Sequence, residues 1–373
     1  MKIGLALSGG GLRATIFHLG ALTRLARQSL LENIAFVSTV SGGSLSVALV
    51  RACSGNAWPS SADFLQKTIP KARRRLTAHN LERAYVQCMV RSPWELRGGR
   101  AVALARALQD CWSVSGLLSE LPDHPRWIIN STCYETGKNW RFMRTRMGDY
   151  VAGYVASPRL PIAEAVAASA AYPGLVGTLK LDTKSFDWFI YDRKHAIQPR
   201  SPRRRTLTLW DGGIYDNLGV EALFKFGGSY KDGIDFLIVS DASAPLRIKT
   251  RTFRAPLRLL HIATDQIRSL RARAFVSHLQ RHPSAGVYLK IGNTEECIYH
   301  DANRLAMAEH IVDGSLLATQ VRKAVSISTR LRRFTQQEYD LLFTHGYQVA
   351  DATLSAYCSD SFKPTPLADF SSV

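Results

Sequence analysis

No stretch of the sequence supplies the ~20 consecutive apolar residues that a membrane-spanning helix requires, so any meeting with a bilayer is expected at its surface. Paired cysteines are missing too: Cys53, Cys88, Cys111, Cys133, Cys297 and Cys358 are scattered, without the spacing of a zinc site or a disulfide framework. A reducing, cytoplasmic setting is expected. The opening run from Met1 to Leu7 passes straight into glycines instead of a longer apolar region and cleavage site, so it does not read as a secretion signal. No internal repeat is visible, which excludes a solenoid or propeller. Acids are scarce. The 30 Asp and Glu face 48 Lys and Arg, and the resulting formal charge of +18 favours anionic partners such as lipid headgroups or nucleic-acid phosphates.

With 46% apolar and 21% charged residues the chain has a globular make-up, and 373 residues suffice for one large core with a dependent extension. The cations gather in four segments: Lys67 to Arg75, Arg193 to Arg205, Arg247 to Arg281, and Arg322 to Arg333. Between Arg247 and Arg281, nine Arg or Lys accompany a single acid, Asp265. Both a solvated basic face and a phosphate-binding face fit such a run.

The first fifty residues alternate strand, glycine turn, helix, strand, glycine turn, helix, the pattern of a parallel sheet covered by helices. Ile3 to Leu7 and Ile34 to Val40 read as strands. Between them Ile16, Leu19, Leu22 and Leu25 recur at helical spacing and predict a helix with one apolar face laid on the sheet. A second helix is expected to begin at Gly42 or Gly43. From Ser60 to about Pro125 the sequence reads as inserted helices. Strand character returns at Trp127 to Thr132, Trp140 to Met143, Thr206 to Trp210 and Phe236 to Ser240, with an Ala-rich helix over Pro161 to Ala171. Beyond Leu246 the pattern is mainly helical. The expected fold is α/β with three layers and a mainly parallel central sheet. Residues 1–245 are expected to form the catalytic domain, with a helical insertion at about 60–125, and residues 246–373 a basic, mainly helical C-terminal extension packed on the core.

Three glycine-bearing turns carry the candidate chemistry. In Thr39-Val40-Ser41-Gly42-Gly43, Ser41 sits between a strand and a helix. A serine hydroxyl becomes a nucleophile when a strained, exposed turn holds it beside a base, and small neighbours let backbone pass close by. Gly42 and Gly43 provide that room, and the following helix directs its positive end at Ser41. Thr39 stands where a Gly-x-Ser-x-Gly elbow has its first glycine. Upstream, in Ser8-Gly9-Gly10-Gly11-Leu12-Arg13-Ala14, the N–H groups of Gly9, Gly10 and Gly11 can converge on an oxyanion. A phosphate cradle is the weaker reading, because the Walker lysine is absent and Ala14 breaks the dinucleotide fingerprint. Arg13 can hold this loop, face a substrate phosphate or form a structural ion pair. Downstream, Asp211 ends a strand just before Gly212 and Gly213 and is placed like a catalytic carboxylate, although Asp-Gly is also an ordinary turn. Asp216 and Asn217 read as bracing this turn. His18, on the first helix, reads as a packed residue. His261, His278, His282, His300, His310 and His345 sit in no recognisable catalytic context.

Taken together and in this order, the three segments resemble the patatin-like phospholipase family, and the run from Ser8 to Ala14 is also similar to the glycine loop of cytosolic phospholipase A2 relatives. Ile129-Asn130-Ser131-Thr132 through Lys138, and Ala167 through Gly174, resemble the family as well, so the likeness spans roughly residues 3–245. The resemblance implies a patatin-like α/β/α fold and a Ser41–Asp211 dyad in which the carboxylate takes the serine proton. It further implies an oxyanion hole from Gly9, Gly10 and Gly11 with Arg13 beside it, elbow and turn support from Gly42, Gly43, Gly212 and Gly213, and hydrolysis of membrane glycerophospholipid acyl esters without a metal or other cofactor. Ala14 and Thr39 depart from the family pattern but remove no reacting group. Some bacterial members act as anti-phage effectors switched on by a cyclic nucleotide, which extends the expectation to a nucleotide activator among the Arg-rich segments. Expected partners are then the phospholipid surface at the inner face of the membrane, that activator, and further copies of the chain in a homo-oligomer; no specific nucleic acid is expected. Two other readings fit the same residues: a soluble esterase, thioesterase or neutral-lipid lipase using the dyad, and an inactive hydrolase fold serving as a nucleic-acid-binding or scaffold protein.

Overall fold

The computed structural model describes residues 1–373 apart from 175, 193, 226, 232, 247–254, 304–314, 366 and 368–373. Arg193, His310 and the first residues of the basic segment that starts at Arg247 thus lie outside the described residues.

Short apolar runs build a twelve-stranded sheet from β1 (Ile3–Leu7), β2 (Ile34–Thr39), β3 (Arg126–Cys133), β4 (Asn139–Phe142), β5 (Arg146–Asp149), β6 (Gly153–Ala156), β7 (Leu179–Asp182), β8 (Trp188–Tyr191), β9 (Ile197–Pro199), β10 (Thr206–Asp211), β11 (Phe236–Asp241) and β12 (Gly286–Lys290). The order β12-β11-β1-β2-β3 is parallel throughout. Every residue of β1 and β11 is buried, as expected of parallel strands with both faces covered. Beyond β3 the sheet continues antiparallel through β4, β5, β6, β8 and β9.

The junction at β3 positions the site. On one edge of β3, β2 pairs up to Thr39 opposite Ile129, and β10 pairs antiparallel from Asp211 opposite Ser131. Residues 129 and 131 both also pair with β4, so β4 takes the other edge and β2 and β10 share one. Their ends therefore meet nearly head to head along β3. Ser41 lies just past the end of β2, and Asp211 is the last residue of β10.

The helices include α1 (Gly11–Ala26), α2 (Gly42–Cys53), α3 (Ile69–Ala78), α4 (Leu81–Arg91), α5 (Ala101–Trp112), α6 (Ile162–Ser169), α7 (Ala255–Arg281) and α8 (Gln336–Tyr357). Helices α3 to α5 lie between α2 and β3 in the chain. The apolar stripe of α1 predicted one covered face, yet Leu12 through Ala26 are all buried. The reason is α8, which packs along the other side. The backbones touch where side chains are missing: a Cβ on Gly20 would sit 2.1 Å from Phe343 O, and one on Gly346 2.0 Å from Phe17 O. Arg24, fully buried on α1, ion-pairs with Asp351 of α8. Each buried Ile, Leu or Phe along α1 contributes roughly 1.5–3 kcal/mol.

The region beyond Leu246, expected to be mainly helical, carries C-terminal helices and also β12, a strand not read from the sequence that adds to the edge of the parallel sheet. Strands β5 to β9 are three or four residues long and had no counterpart in the sequence reading. Among the described residues no helix is long and apolar enough to cross a membrane.

Candidate active site

Ser41 occupies φ 49°, ψ −113° and is the N-cap residue of α2. A positive φ is costly for any residue with a Cβ, on the order of 1–3 kcal/mol, and persists only where the surroundings enforce it. The enforcement is visible. The Ser41 N–H donates to Ser169 Oγ at 3.0 Å, and Ser169 Oγ lies 2.8 Å from Ser44 Oγ, whose hydroxyl in turn donates to Thr39 Oγ1. Thr39 Oγ1 also accepts the Trp127 indole N–H at 2.9 Å. Thr39, the departure from the family elbow, is thus a buried acceptor that ties β2 to β3 and to α2. Gly42 and Gly43 are needed for close approach: a Cβ on either would fall 2.3 Å from a carbonyl, that of Gly11 or Leu7 respectively.

Asp211 is 2% exposed. Its Oδ1 accepts the Gly213 N–H at 2.7 Å. Its Oδ2 is buried without a conventional hydrogen bond, and the side-chain donor beside the carboxylate is the Ser41 hydroxyl. Burial pushes the carboxyl pKa up to about 7, against the downward pull of the Gly213 N–H and Ser41. A carboxylate with that pKa is suited to accept a proton near neutrality. The turn is fixed from behind by Thr132 Oγ1 donating to Asp211 O, Ser131 Oγ donating to Trp210 O, and the Gly212 N–H donating to Ser169 O. Ser169 therefore holds both halves of the pair, a role the sequence reading did not assign to it.

The glycine loop divides its work. The Gly9 N–H donates to Asn217 O at 2.9 Å, so it ties the loop to the Asp211 turn and is not directed at a reacting oxygen. Gly10 and Gly11 line the cavity beside Ser41, and among the described residues their N–H groups meet no acceptor. Asn217 itself donates through Nδ2 to Ser243 Oγ, while Asp216 accepts the Leu218 and Glu221 N–H groups and ion-pairs with Arg271, the bracing expected of both.

Arg13 is where sequence and structure part most clearly. Its Nη1 donates to Val325 O at 2.9 Å and to Ile327 O at 3.4 Å, and Nη2 donates to Ala242 O at 3.2 Å. The guanidinium clamps backbone from two later segments and supports the loop, the first of the three roles read from the sequence. His18 is fully buried, with Nδ1 3.0 Å from Ser240 Oγ and Nε2 3.0 Å from Ser8 O. Burial pushes its pKa down to about 4, so it stays neutral and braces the start of the glycine loop.

Ser41 and Asp211 open into a cavity of about 700 Å³. Helix α4 presents Tyr85, Val86 and Met89 to it, joined by Leu45, Val176 and Leu331, all apolar or aromatic. Helix α7 presents Arg258, His261, Thr264, Asp265 and Arg268 at the spacing of one helical face. Helix α4 also brings Glu82, paired with Arg330, to the cavity, so the apolar side chains gather mainly on α4 and the polar ones on α7.

A family model described as patatin-like phospholipase matches residues 5–224. No curated protein matches the sequence. Among solved structures, human GIVD cytosolic phospholipase A2 is similar at a TM-score of 0.55 and 14% identity, over 96% of this chain and 61% of that one. The same human protein in complex with a methyl gamma-linolenyl fluorophosphonate inhibitor and terbium chloride is similar at a TM-score of 0.54 and 15% identity, over 96% of this chain and 58% of that one. The chain spans about three fifths of the length of these structures, and at such identities the likeness is one of fold. With more than half of its residues covered by the family model, the chain belongs to the patatin-like phospholipase family.

Proposed function

We propose that the chain is a serine lipid acyl hydrolase of the phospholipase A type, working through a Ser41–Asp211 dyad. Asp211 accepts the Ser41 proton as Oγ attacks the acyl carbonyl, and the N–H groups of Gly10 and Gly11, with the N-terminal end of α2, stabilise the oxyanion. The acyl-enzyme then forms as the lysolipid alkoxide leaves with the proton from Asp211, and water repeats the sequence to release the fatty acid. The observation that carries this reading is the pairing of a strained Ser41 with a buried carboxylate whose second oxygen has no other partner. Ser41→Ala is expected to lower fatty-acid release from phospholipid vesicles by at least about 10³-fold; release at the wild-type rate would sink the assignment. A fluorophosphonate sits in the human structure, and probes of that class are expected to label this chain at Ser41.

The proposal includes a membrane surface as partner. It is supported by the excess of cations and by exposed Val86, Val90 and Trp94 on and beside α4, which lines the cavity. A regulatory nucleotide, and with it a role in defence against phage, belongs to the same proposal and rests on the clustered arginines alone; activation of fatty-acid release by cyclic oligonucleotides is its test.

A further inference from the structure

We infer that the inner face of α7 is a phosphate subsite, with Arg258 as its specificity-determining residue, which holds the phosphate of an amphiphilic ester while the acyl chain lies along α4. The inference rests on the hydrolase reading above and adds where each end of the substrate goes.

Among the described residues five arginines line the cavity, and four are already engaged. Arg13 donates to the carbonyls of Val325, Ile327 and Ala242. Arg100 donates to the Tyr85 hydroxyl. Arg268 is held between Asp241 and Asp265, and Arg330 by Glu82. Arg258 is half-buried, and among the described residues no carboxylate pairs with it. A guanidinium left with its donors facing a cavity is a site for a planar or tetrahedral oxyanion, which it can bind through two N–H groups at once.

Its surroundings connect this cation to the reacting atoms. One turn further along α7, the His261 ring lies against Tyr172, with centroids 5.8 Å apart. Tyr172 is close enough to Asp211 for the carboxylate to add to the rise of its phenol pKa, which burial drives to about 12. Arg258, His261, Tyr172 and Asp211 thus line one and the same cavity, the cation at one place and the dyad at another. The apolar lining comes from other elements, Leu45 of α2, Tyr85, Val86 and Met89 of α4, and Val176 and Leu331, where the charges that also line the cavity, Glu82 and Arg330, neutralise each other. In the proposed pose the ester carbonyl sits at Ser41, the acyl chain lies against those apolar residues and the other end turns toward α7. A phosphate there meets Arg258; an uncharged group there gains nothing from it. Helix α7 lies beyond the residues covered by the family model, so this subsite belongs to this chain's own C-terminal region.

The test compares two substrates in the full-length chain. Arg258→Ala and Arg258→Glu are assayed on phosphatidylglycerol in mixed micelles and on an uncharged p-nitrophenyl ester of similar acyl length, with Arg258→Lys as the conservative variant and Arg273→Ala as a control. Arg273, on the same helix, is exposed and bonds only the carbonyl of Ser269 one turn back, so its loss reports general adsorption. The ratio of kcat/KM for the phospholipid over the neutral ester is expected to fall about 10- to 100-fold in Arg258→Ala, further in Arg258→Glu, partly recovering in Arg258→Lys and staying constant in Arg273→Ala. An equal loss on both substrates, an unchanged ratio, or the same fall in Arg273→Ala overturns the inference. If Ser41→Ala leaves both activities intact, the hydrolase reading itself has failed instead. Glycerol 3-phosphate separates two sources of the same chemistry. Its inhibition of neutral-ester hydrolysis in wild type and not in Arg258→Ala assigns the subsite to soluble phosphates as well; discrimination between the substrates without such inhibition assigns it to a lipid-borne phosphate.

Discussion

Residues 5–224 and the residues beyond them build one cavity by different means. In the first region the key groups are left incompletely satisfied: Ser41 is held at a positive φ, and Asp211 is buried with one carboxylate oxygen lacking a conventional hydrogen bond. In the second, Arg258 apart, the charges at the cavity are closed on one another, as when Arg268 binds Asp241 and Asp265 and Tyr288 adds a hydroxyl at 2.5 Å to Asp241. The contrast holds even between two aspartates five residues apart. Asp216 is as deeply buried as Asp211, yet it accepts two N–H groups and faces Arg271, whereas Asp211 has no cation beside it. Burial raises both pKa values, but only at Asp211 is an oxygen kept available for a proton. In the proposed dyad, reactivity would come from what the fold declines to neutralise.

Removing the charge at Asp211 tests this most strongly. Asp211→Asn is expected to lower kcat by about 10³- to 10⁴-fold, as loss of the proton acceptor does in related chemistry, and at the same time to stabilise the fold at alkaline pH. The sign follows from its pKa. The folded-state value, about 7, exceeds the unfolded value near 3.9, so the stability of the protonated form is fully present below about pH 4 and is lost as pH rises through 7. At pH 8 the wild type carries that cost and the asparagine variant does not. Its Tm there is expected to be higher by about 2–4 °C, and a lower Tm with unchanged kcat would erase the distinction between the two aspartates.

Under the proposed dyad, the same carboxyl sets the pH profile. Fatty-acid release, measured as kcat/KM, is expected to climb about tenfold per unit below pH 7 and to level off above it, since only the ionised carboxylate accepts the serine proton. A flat profile from pH 5 to 8 would mean that a different group is the base.

The smallest effect on chemistry is expected from the arginine that stands between the two regions. Arg13→Ala breaks the clamp onto Val325, Ile327 and Ala242 and leaves buried carbonyls short of donors, at a cost of about 1–3 kcal/mol. Well below its lowered Tm, kcat is expected to change by less than about tenfold. A large fall in kcat without loss of stability would return Arg13 to the reacting groups.

Much of this was legible along the chain. Glycine-flanked turns after apolar runs located β1, β2, α1, α2 and the Ser41 elbow, because strand period, helix period and turn chemistry are local properties. The short strands from Arg146 to Pro199 were not legible; three or four residues hold too few alternations to signal a period. Strand β12 was hidden in a basic, helix-rich region, and its assignment depends on β11 offering an edge. The roles of Thr39 and Ser169 were out of reach for a related reason. Each is a small hydroxyl residue whose partners lie up to 128 positions away.

By itself, then, the sequence determined where a nucleophile, an acid and a run of free N–H groups could stand, since each needs only a turn and its neighbours. The tertiary structure decided the rest: that β2 and β10 meet end to end on β3 and bring Ser41 to Asp211, that Gly9 gives its N–H to Asn217 while Gly10 and Gly11 face the cavity, and that Arg13 is a clamp. Desolvation and hydrogen-bond satisfaction depend on which distant segments pack around a group, and no local pattern encodes them.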